Sequence, residues 1–410
     1  MVKTKSQMSE GKIVVGVDLH PDSFAAALVS GSSISRMKLL RRFTKVDSSQ
    51  WKTWLKKNVP LGSIVVMEAS GNSFEFAEIA ENYGCKAIVL NSVSAGRIGK
   101  AYCKNDPKDA LRAAKIYLCG LAEHVWCPDE GTRIRREVIA GHEHSKKDFT
   151  RASNRIKSFL NGHGVRLPKG SHLRKDKTRQ WILSTYKWNS EQRFIIQNLF
   201  DNYDHASTQR QKYHQEIGQA VLNTPGMGQL MHLCGIRLLT AYSLIASIGD
   251  IGRFDSPKKL VAYLGLAPSV RESGEKSVNG RLQKGGRKQT KSILMQAAQS
   301  ILKSKNESGK HLREWGIRLT MRKTKNIAVA GIARKLAVAV WYMLKGFIPE
   351  IIEAENELKK KMKKVAEELR LGFIQKLGYQ KVCHFVDEYT LILLSYSNTI
   401  KMNHAFSQKE

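Results

Sequence analysis

The apolar positions of the first 125 residues fall in short, mostly uninterrupted runs. "KIVVGVDL" (12–19), "SFAAALVS" (23–30) and "ISRMKLLRRF" (34–43) have the length and content of strands, and the turn residues "HPD" separate the first two. "SSQWKTWLKKN" is spaced as a short helix and "GSIVVMEA" is a further buried strand. "SGNSFEFAEIAENYG" joins a Ser/Asn cap to helical spacing and a terminal glycine. "CKAIVLN" is one more strand, with helices from about 93 to 124. Several strands, then strands alternating with helices, predict an α/β domain with a mixed sheet over 12–125, behind a tail of residues 1–11.

Beyond 125 the period changes. Ile134, Val138, Phe149, Ile156 and Leu160 are spaced as on one long helix, "NGHGVRLPKGSH" breaks it, and a second helical region runs from about 176 to 221. This predicts an extended, coiled-coil-like helical hairpin as a linker over 126–224. "NTPGMG" marks a boundary near 225. A mostly helical domain follows over 225–348, with the helices "LCGIRLLTAYSLIASIGD", "SPKKLVAYLGL", "KSILMQAAQSILKSK" and "GIARKLAVAVWYMLKGF" and a glycine-rich basic loop at 270–288. Residues 349–410 form a C-terminal helical extension in which "EAENELKKKMKKVAEELR" reads as an exposed helix. The fold class is α/β plus all-α.

Charge narrows the partners. The 410 residues carry 68 Lys+Arg against 36 Asp+Glu, a formal net charge of +32. Such a field draws polyanions, so nucleic acid is the expected partner, with a membrane surface as the competing target. Between 132 and 180 there are 14 Lys/Arg and four acids, which predicts one basic face on the hairpin or a merely solvated one. No stretch approaches the roughly 18 apolar residues of a spanning helix, and "MVKTKSQMSEGK" lacks a signal-peptide core. The six cysteines (85, 103, 119, 127, 234 and 383) form no CxxC pair, which predicts reduced thiols in a cytoplasm. No HExxH spacing suggests a zinc site.

The acids stand at informative places. Asp18 ends the first strand and Glu68 a later one, and polar residues at carboxyl strand ends line the crevice where α/β sheets bind ligands. Asp106 and Asp109, in "KNDPKDA", share a helix face three residues apart. Helix capping, with Pro107 at the first helical position, explains where these two sit, and each of the other two could be an ordinary polar strand end. Converging carboxylates need a counter-cation, and magnesium, which prefers oxygen ligands, supplies one.

"GVDLH", "MEASG" and "KNDPKDA", in this order and spacing, resemble the DEDD transposases of insertion-sequence family 110, whose first domain is RuvC-like with a ribonuclease-H fold. The resemblance implies that Asp18, Glu68, Asp106 and Asp109 are catalytic carboxylates binding Mg2+. It continues through "GIRLLTAYSLIASIGDIGRFDSPKKLVAYLGLAPSVRESGEKSVNGRLQKGGRKQTKSILMQAA", which looks like the family's C-terminal transposase domain with a helix-hairpin-helix-like element. The family's Pro-Gly-Ile-Gly turn aligns with Leu233, Cys234, Gly235 and Ile236, a departure from its pattern. In "RESGEKSVNGR" the resemblance implies a nucleophile at Ser273, with Ser269 and Ser277 as neighbours. A serine in such a loop is otherwise a turn former. Arg271, Arg281, Lys284, Arg287 and Lys288 surround it and could clamp phosphates. Trp181, Tyr186, Trp188 and Phe194 are core residues or base-stacking ones.

What the resemblance implies in full is an insertion-sequence transposase that cleaves and exchanges DNA strands through a serine–DNA covalent intermediate. Its partners would be donor and target DNA and an element-encoded guide RNA. It would act as a homo-oligomer, dimer or tetramer, in a bacterial or archaeal cytoplasm at the nucleoid, without a membrane. Three other readings remain at this point: a magnesium-dependent RuvC-like junction nuclease with Ser273 inert, a non-catalytic nucleic-acid-binding scaffold, and an actin-like sugar kinase, against which the charge argues.

Overall fold

A computed structural model describes residues 12–98, 106–120, 123–273, 276–282 and 285–407. The chain divides into two compact units, Met1–Asp129 and Glu130–Glu410.

The first unit is a mixed sheet covered on both faces. Its elements are β1 (Ile13–Leu19), β2 (Ser23–Ser30), β3 (Lys38–Asp47), α1 (Trp51–Asn58), β4 (Ile64–Glu68), α2 (Ser73–Asn82), β5 (Lys86–Leu90), α3 (Ser92–Ile98) and α4 (Asp106–Leu118). The strand order is β3-β2-β1-β4-β5. β1 and β2 are antiparallel, as are β2 and β3, whereas β1, β4 and β5 run parallel. Burial on both faces is why β1, β2 and β4 read as continuous apolar runs instead of alternating ones. Val15, Val17 and Met67 point to one side, packing with Phe24, Phe76 and the stacked Trp51 and Trp54. Val14, Ile64 and Val66 point to the other, against Ala113 and Ala114 of α4.

The third strand departs from the expected span. Ile34–Arg36 forms a single 3-10 turn, and β3 begins at Lys38 and continues to Asp47. It is one of the sheet's two edge strands, mostly exposed, and its basic side chains discourage pairing with another chain.

The second unit opens with the helical hairpin. Its helices are α5 (Glu130–Gly162), α6 (Asp176–Thr185) and α7 (Ser190–Asn223), the last closed by an Asn189/Gln192 capping box. Ile156 and Leu160, late in α5, share a core with Ile196 and Phe200, early in α7, while Ile139 shares one with Ile217 and Val221. α5 and α7 are therefore antiparallel. Ile134, expected on the apolar stripe, is 51% exposed. Trp188 is a core residue, Trp181 packs partly buried beside it, and Tyr186 and Phe194 are exposed.

The remaining elements are α8 (Met227–Met231), α9 (Leu238–Ile248), α10 (Pro257–Tyr263), β6 (Pro268–Ser273), β7 (Lys276–Leu282), α11 (Lys288–Lys303), α12 (Lys310–Arg322), α13 (Lys325–Leu344), α14 (Glu355–Leu369), α15 (Leu371–Lys376) and α16 (Val382–Ser407). They enclose one large core with α13 at its centre, where Val329, Ile332, Leu336 and Val340 are buried. Contrary to the sequence reading, α13 is long and apolar enough to cross a membrane, yet half of its most apolar stretch is buried inside the protein, as in a core helix.

Two further expectations change here. The glycine-rich stretch at 270–288 is largely a β-hairpin, β6 paired with β7. And α14 is not merely exposed, because Leu358, Met362, Val365, Ala366 and Leu369 line a face buried in the core.

Candidate functional site

Two places concentrate the chemistry, a carboxylate cluster in the first unit and the β6–β7 hairpin in the second. The cluster follows from the parallel pairing of β1 and β4. Val17 is in register with Met67, so the next residues, Asp18 and Glu68, stand side by side at the carboxyl ends of adjacent strands. The face they share is the one α4 covers. A Cβ at Gly16 would lie 2.0 Å from the Ala110 carbonyl oxygen, so only glycine lets the helix approach this closely. That contact brings Asp109, one residue before Ala110, to the same edge.

One guanidinium ties the acids together. Arg112 donates from Nη2 to Glu68 Oε1 at 3.0 Å and pairs through Nη1 with Asp109 Oδ1 at 3.1 Å. Asp18 Oδ2 lies 3.5 Å from His20 Nε2. The loops after the two strands are joined as well, because Asn72 Nδ2 donates to the His20 carbonyl oxygen at 3.1 Å. The side chains of Asp18, Glu68 and Asp109 are 27%, 30% and 22% exposed, so they are fixed by neighbours yet open to a ligand. Asp106 begins α4, and its side chain lies outside the described residues. Among the described residues no three Asp, Glu, His or Cys side chains form a ready metal cage.

The hairpin carries the serine. Ser273 ends β6 opposite Lys276, so only residues 274–275 connect the strands, the short loop that hairpins favour. Ser273 is thus beside the tip, although its side chain and that of Arg271 lie outside the described residues, as does Lys284 altogether. Ser277 pairs across the ladder with Glu272, and Ser269 donates to the Arg281 carbonyl oxygen at 3.0 Å near the base. Arg281 and Lys288 are exposed and Arg287 is half-buried.

The base of the hairpin is anchored by Arg287 together with two arginines that sequence reasoning did not single out, Arg136 and Arg253. The Tyr263 hydroxyl accepts from Arg287 Nε at 3.0 Å and from Arg136 Nη2 at 3.5 Å, and Arg253 stacks on its ring at 4.3 Å. Burial alone would push this phenol up, but Arg287, Arg253 and Arg136 outweigh it and hold it below its ordinary value. Gly265 and Gly286, both with positive φ, let the two ends of the hairpin segment touch, since a Cβ on Gly286 would meet the Gly265 nitrogen at 2.7 Å. Upstream, Gly235 has φ +78 and no room for a side chain against Ile301, so glycine is required at that departure from the usual turn.

Residues 227–313, which contain this hairpin, match a family model described as "Transposase IS116/IS110/IS902 family". Over 348 residues the chain is 26% identical to "Transposase for insertion sequence element IS1111A" of Coxiella burnetii, covering 83% of this chain and 92% of that one. It is 25% identical over 237 residues to "Putative transposase y4qE" of Sinorhizobium fredii, a match spanning 56% of each. It is also 24% identical over 276 residues to "Pilin gene-inverting protein" of Moraxella bovis, covering 64% of this chain and 74% of that relative.

Proposed function

We propose that this protein is an insertion-sequence transposase that cleaves and exchanges DNA strands, with Asp18, Glu68, Asp106 and Asp109 as its carboxylate site and Ser273 as its nucleophile. The observation that carries the reading is the meeting of Glu68 and Asp109 on Arg112, beside Asp18, at the carboxyl ends of paired strands. The mixed sheet with a helix laid over its acidic edge supports a RuvC-like domain. The match of residues 227–313 to a transposase family supports the strand-exchange chemistry, and the relative named for gene inversion supports recombination over simple hydrolysis.

The donor set fits magnesium, since it offers oxygen ligands that are partly solvated. When bound, the ion would stabilise negative charge on the phosphate under attack. Asp18, Glu68, Asp106 and Asp109 would hold it and so orient the DNA phosphate. Ser273 Oγ attacks phosphorus, the bond from phosphorus to the deoxyribose oxygen breaks, and the serine proton ends on that departing oxygen. The phosphodiester energy is kept in a serine ester, which a second strand end reverses. Donor and target DNA are the substrates, and an element-encoded guide RNA would account for much of the +32 charge, with base pairing reading sequence. A homo-oligomer working in a cytoplasm at the nucleoid belongs to the same reading.

The test uses purified full-length protein, its guide RNA, and duplexes carrying element ends and target. Joint molecules should form only with magnesium and should vanish in Asp18→Ala and Glu68→Ala. Exchange that persists in these variants would end the carboxylate assignment. Nicked DNA without joint molecules would favour the junction nuclease, and binding without any cut the scaffold.

Arg112 has a positioning role in this reading. Arg112→Ala should lower exchange by about 10–100-fold, the usual cost of losing a partner that orients a metal ligand. Arg112→Lys should recover little, because an ammonium cannot span two carboxylates as a planar guanidinium does. Magnesium titration of exchange, with thermal melting of both variants as a folding check, decides it. Unaltered rates in both variants would make Arg112 a bystander.

A further inference from the structure

A second site lies in the hairpin. A cavity of about 620 Å³ opens between α5, α7 and the segment joining α5 to α6, with Phe149, Leu167, Leu173 and Tyr203 as apolar wall and Lys157, Lys175 and Arg210 among its basic groups. That volume is in the range of small-molecule sites, roughly 300–1,000 Å³.

Three of these basic groups make no direct ion pair among the described residues, although Arg210 lies close enough to Glu368 to help hold that carboxyl below its ordinary value. Elsewhere on the hairpin some cations do have carboxylates: Arg179 makes a two-pronged pair with Asp204, and Arg151 pairs with Asp148 at 3.0 Å. Lys157, Lys175 and Arg210 have no ion-pair partner among the described residues. Arg210 Nε is a buried donor that makes no hydrogen bond, and its guanidinium lies 5.1 Å over the Phe149 ring. The one acid of the lining, Glu368, is taken by His214 at 3.2 Å and Gln211 at 3.3 Å. A buried donor without an acceptor is costly, and an anionic oxygen beside the guanidinium would offset that cost.

We propose that this cavity receives one unpaired nucleotide of a single-stranded nucleic acid, with its phosphate on Arg210, Lys157 and Lys175 and its base against the apolar wall. Phosphate and base together match a pocket that is basic at one side and apolar at the other, whereas a base locked in a duplex could not enter. The site rests on the hairpin and not on the carboxylate cluster, so it stands or falls apart from the proposed strand exchange.

Full-length protein is titrated against a fluorescein-labelled oligouridylate, a duplex of equal length, and ATP, with fluorescence anisotropy or competition as the readout. Arg210→Gln and Lys157→Gln should each weaken oligouridylate binding by roughly tenfold, the worth of one charge-assisted contact. Lys147→Gln, exposed on α5 outside the cavity, should cost less than about twofold, and duplex binding should change no more than in that control. Lys157 is exposed, so its variant keeps the test valid if Arg210→Gln misfolds. Equal losses in the cavity and control variants, or an equal loss for duplex, would overturn the site. Displacement of ATP alone, with the oligouridylate unaffected, would overturn the strand and leave a pocket for free phosphate compounds.

Discussion

Ser273→Ala should form no covalent protein–DNA adduct and no joint molecules, a loss of at least about 10⁴-fold, while still binding DNA as tightly as the unaltered chain. An activated nucleophile has no substitute when its oxygen is removed, and removing one from other covalent enzymes leaves only the residual rate from binding and charge stabilisation. Denaturing gels that retain protein-linked DNA are the readout. The two neighbouring serines sharpen the result. Ser269 is bonded to the Arg281 carbonyl oxygen at 3.0 Å near the hairpin base, and Ser277 sits in the ladder opposite Glu272, whereas Ser273 is the last strand residue before the two-residue connection. Ser269→Ala should therefore cost hairpin order, a few-fold in rate, with the adduct still formed. An adduct in Ser273→Ala would move the nucleophile elsewhere. Cleavage without an adduct in the unaltered protein would leave water as the nucleophile.

The carboxylate edge was legible because its causes are local. "VVGVDLH" and "IVVMEAS" each combine a buried strand with one acid at its carboxyl end, and the parallel register places those ends together. Gly16 was an unremarked letter until the Ala110 carbonyl was found against it, since close approach of a helix is a property of two distant segments. Arg112 had a local signal, three residues after Asp109, but its bond to Glu68 spans 44 residues. The hairpin at 268–282 was hidden by its composition: glycine, serine, lysine and arginine disfavour strands, and pairing across a short tip overrides that preference. The cavity beside Arg210 needs α5, α7 and the segment between them at once, and no single stretch announces it.

The C-terminal extension shows the same limit most plainly, and it carries the other large effect. Lys361, in a lysine-rich stretch, looks like one more solvated charge, yet its side chain is 9% exposed. It pairs with Glu353 at 3.0 Å and donates to the carbonyl oxygens of Met231 and Leu233 at 2.7 and 2.8 Å. Glu353 in turn accepts from Asn306 Nδ2 at 2.8 Å, and the strand-like contact of Leu233 with Ile352 runs alongside. Burial pulls the Lys361 ammonium below its ordinary value, opposed by Glu353. Residues 351–361 thus clamp the turn that precedes α9, inside the region matching the transposase family. Lys361→Met should destabilise the second unit by about 3–5 kcal/mol, because it strands the Glu353 charge and two carbonyls in the core. For a unit of this size that is a fall in melting temperature on the order of 10 °C. The double variant Lys361→Met with Glu353→Gln should recover a large part of the loss, since the orphaned charge is gone. Thermal melting of the three variants reads the coupling directly. A single variant within about 1 kcal/mol of the unaltered protein, or a double variant as damaged as the sum of its parts, would show that the clamp holds nothing.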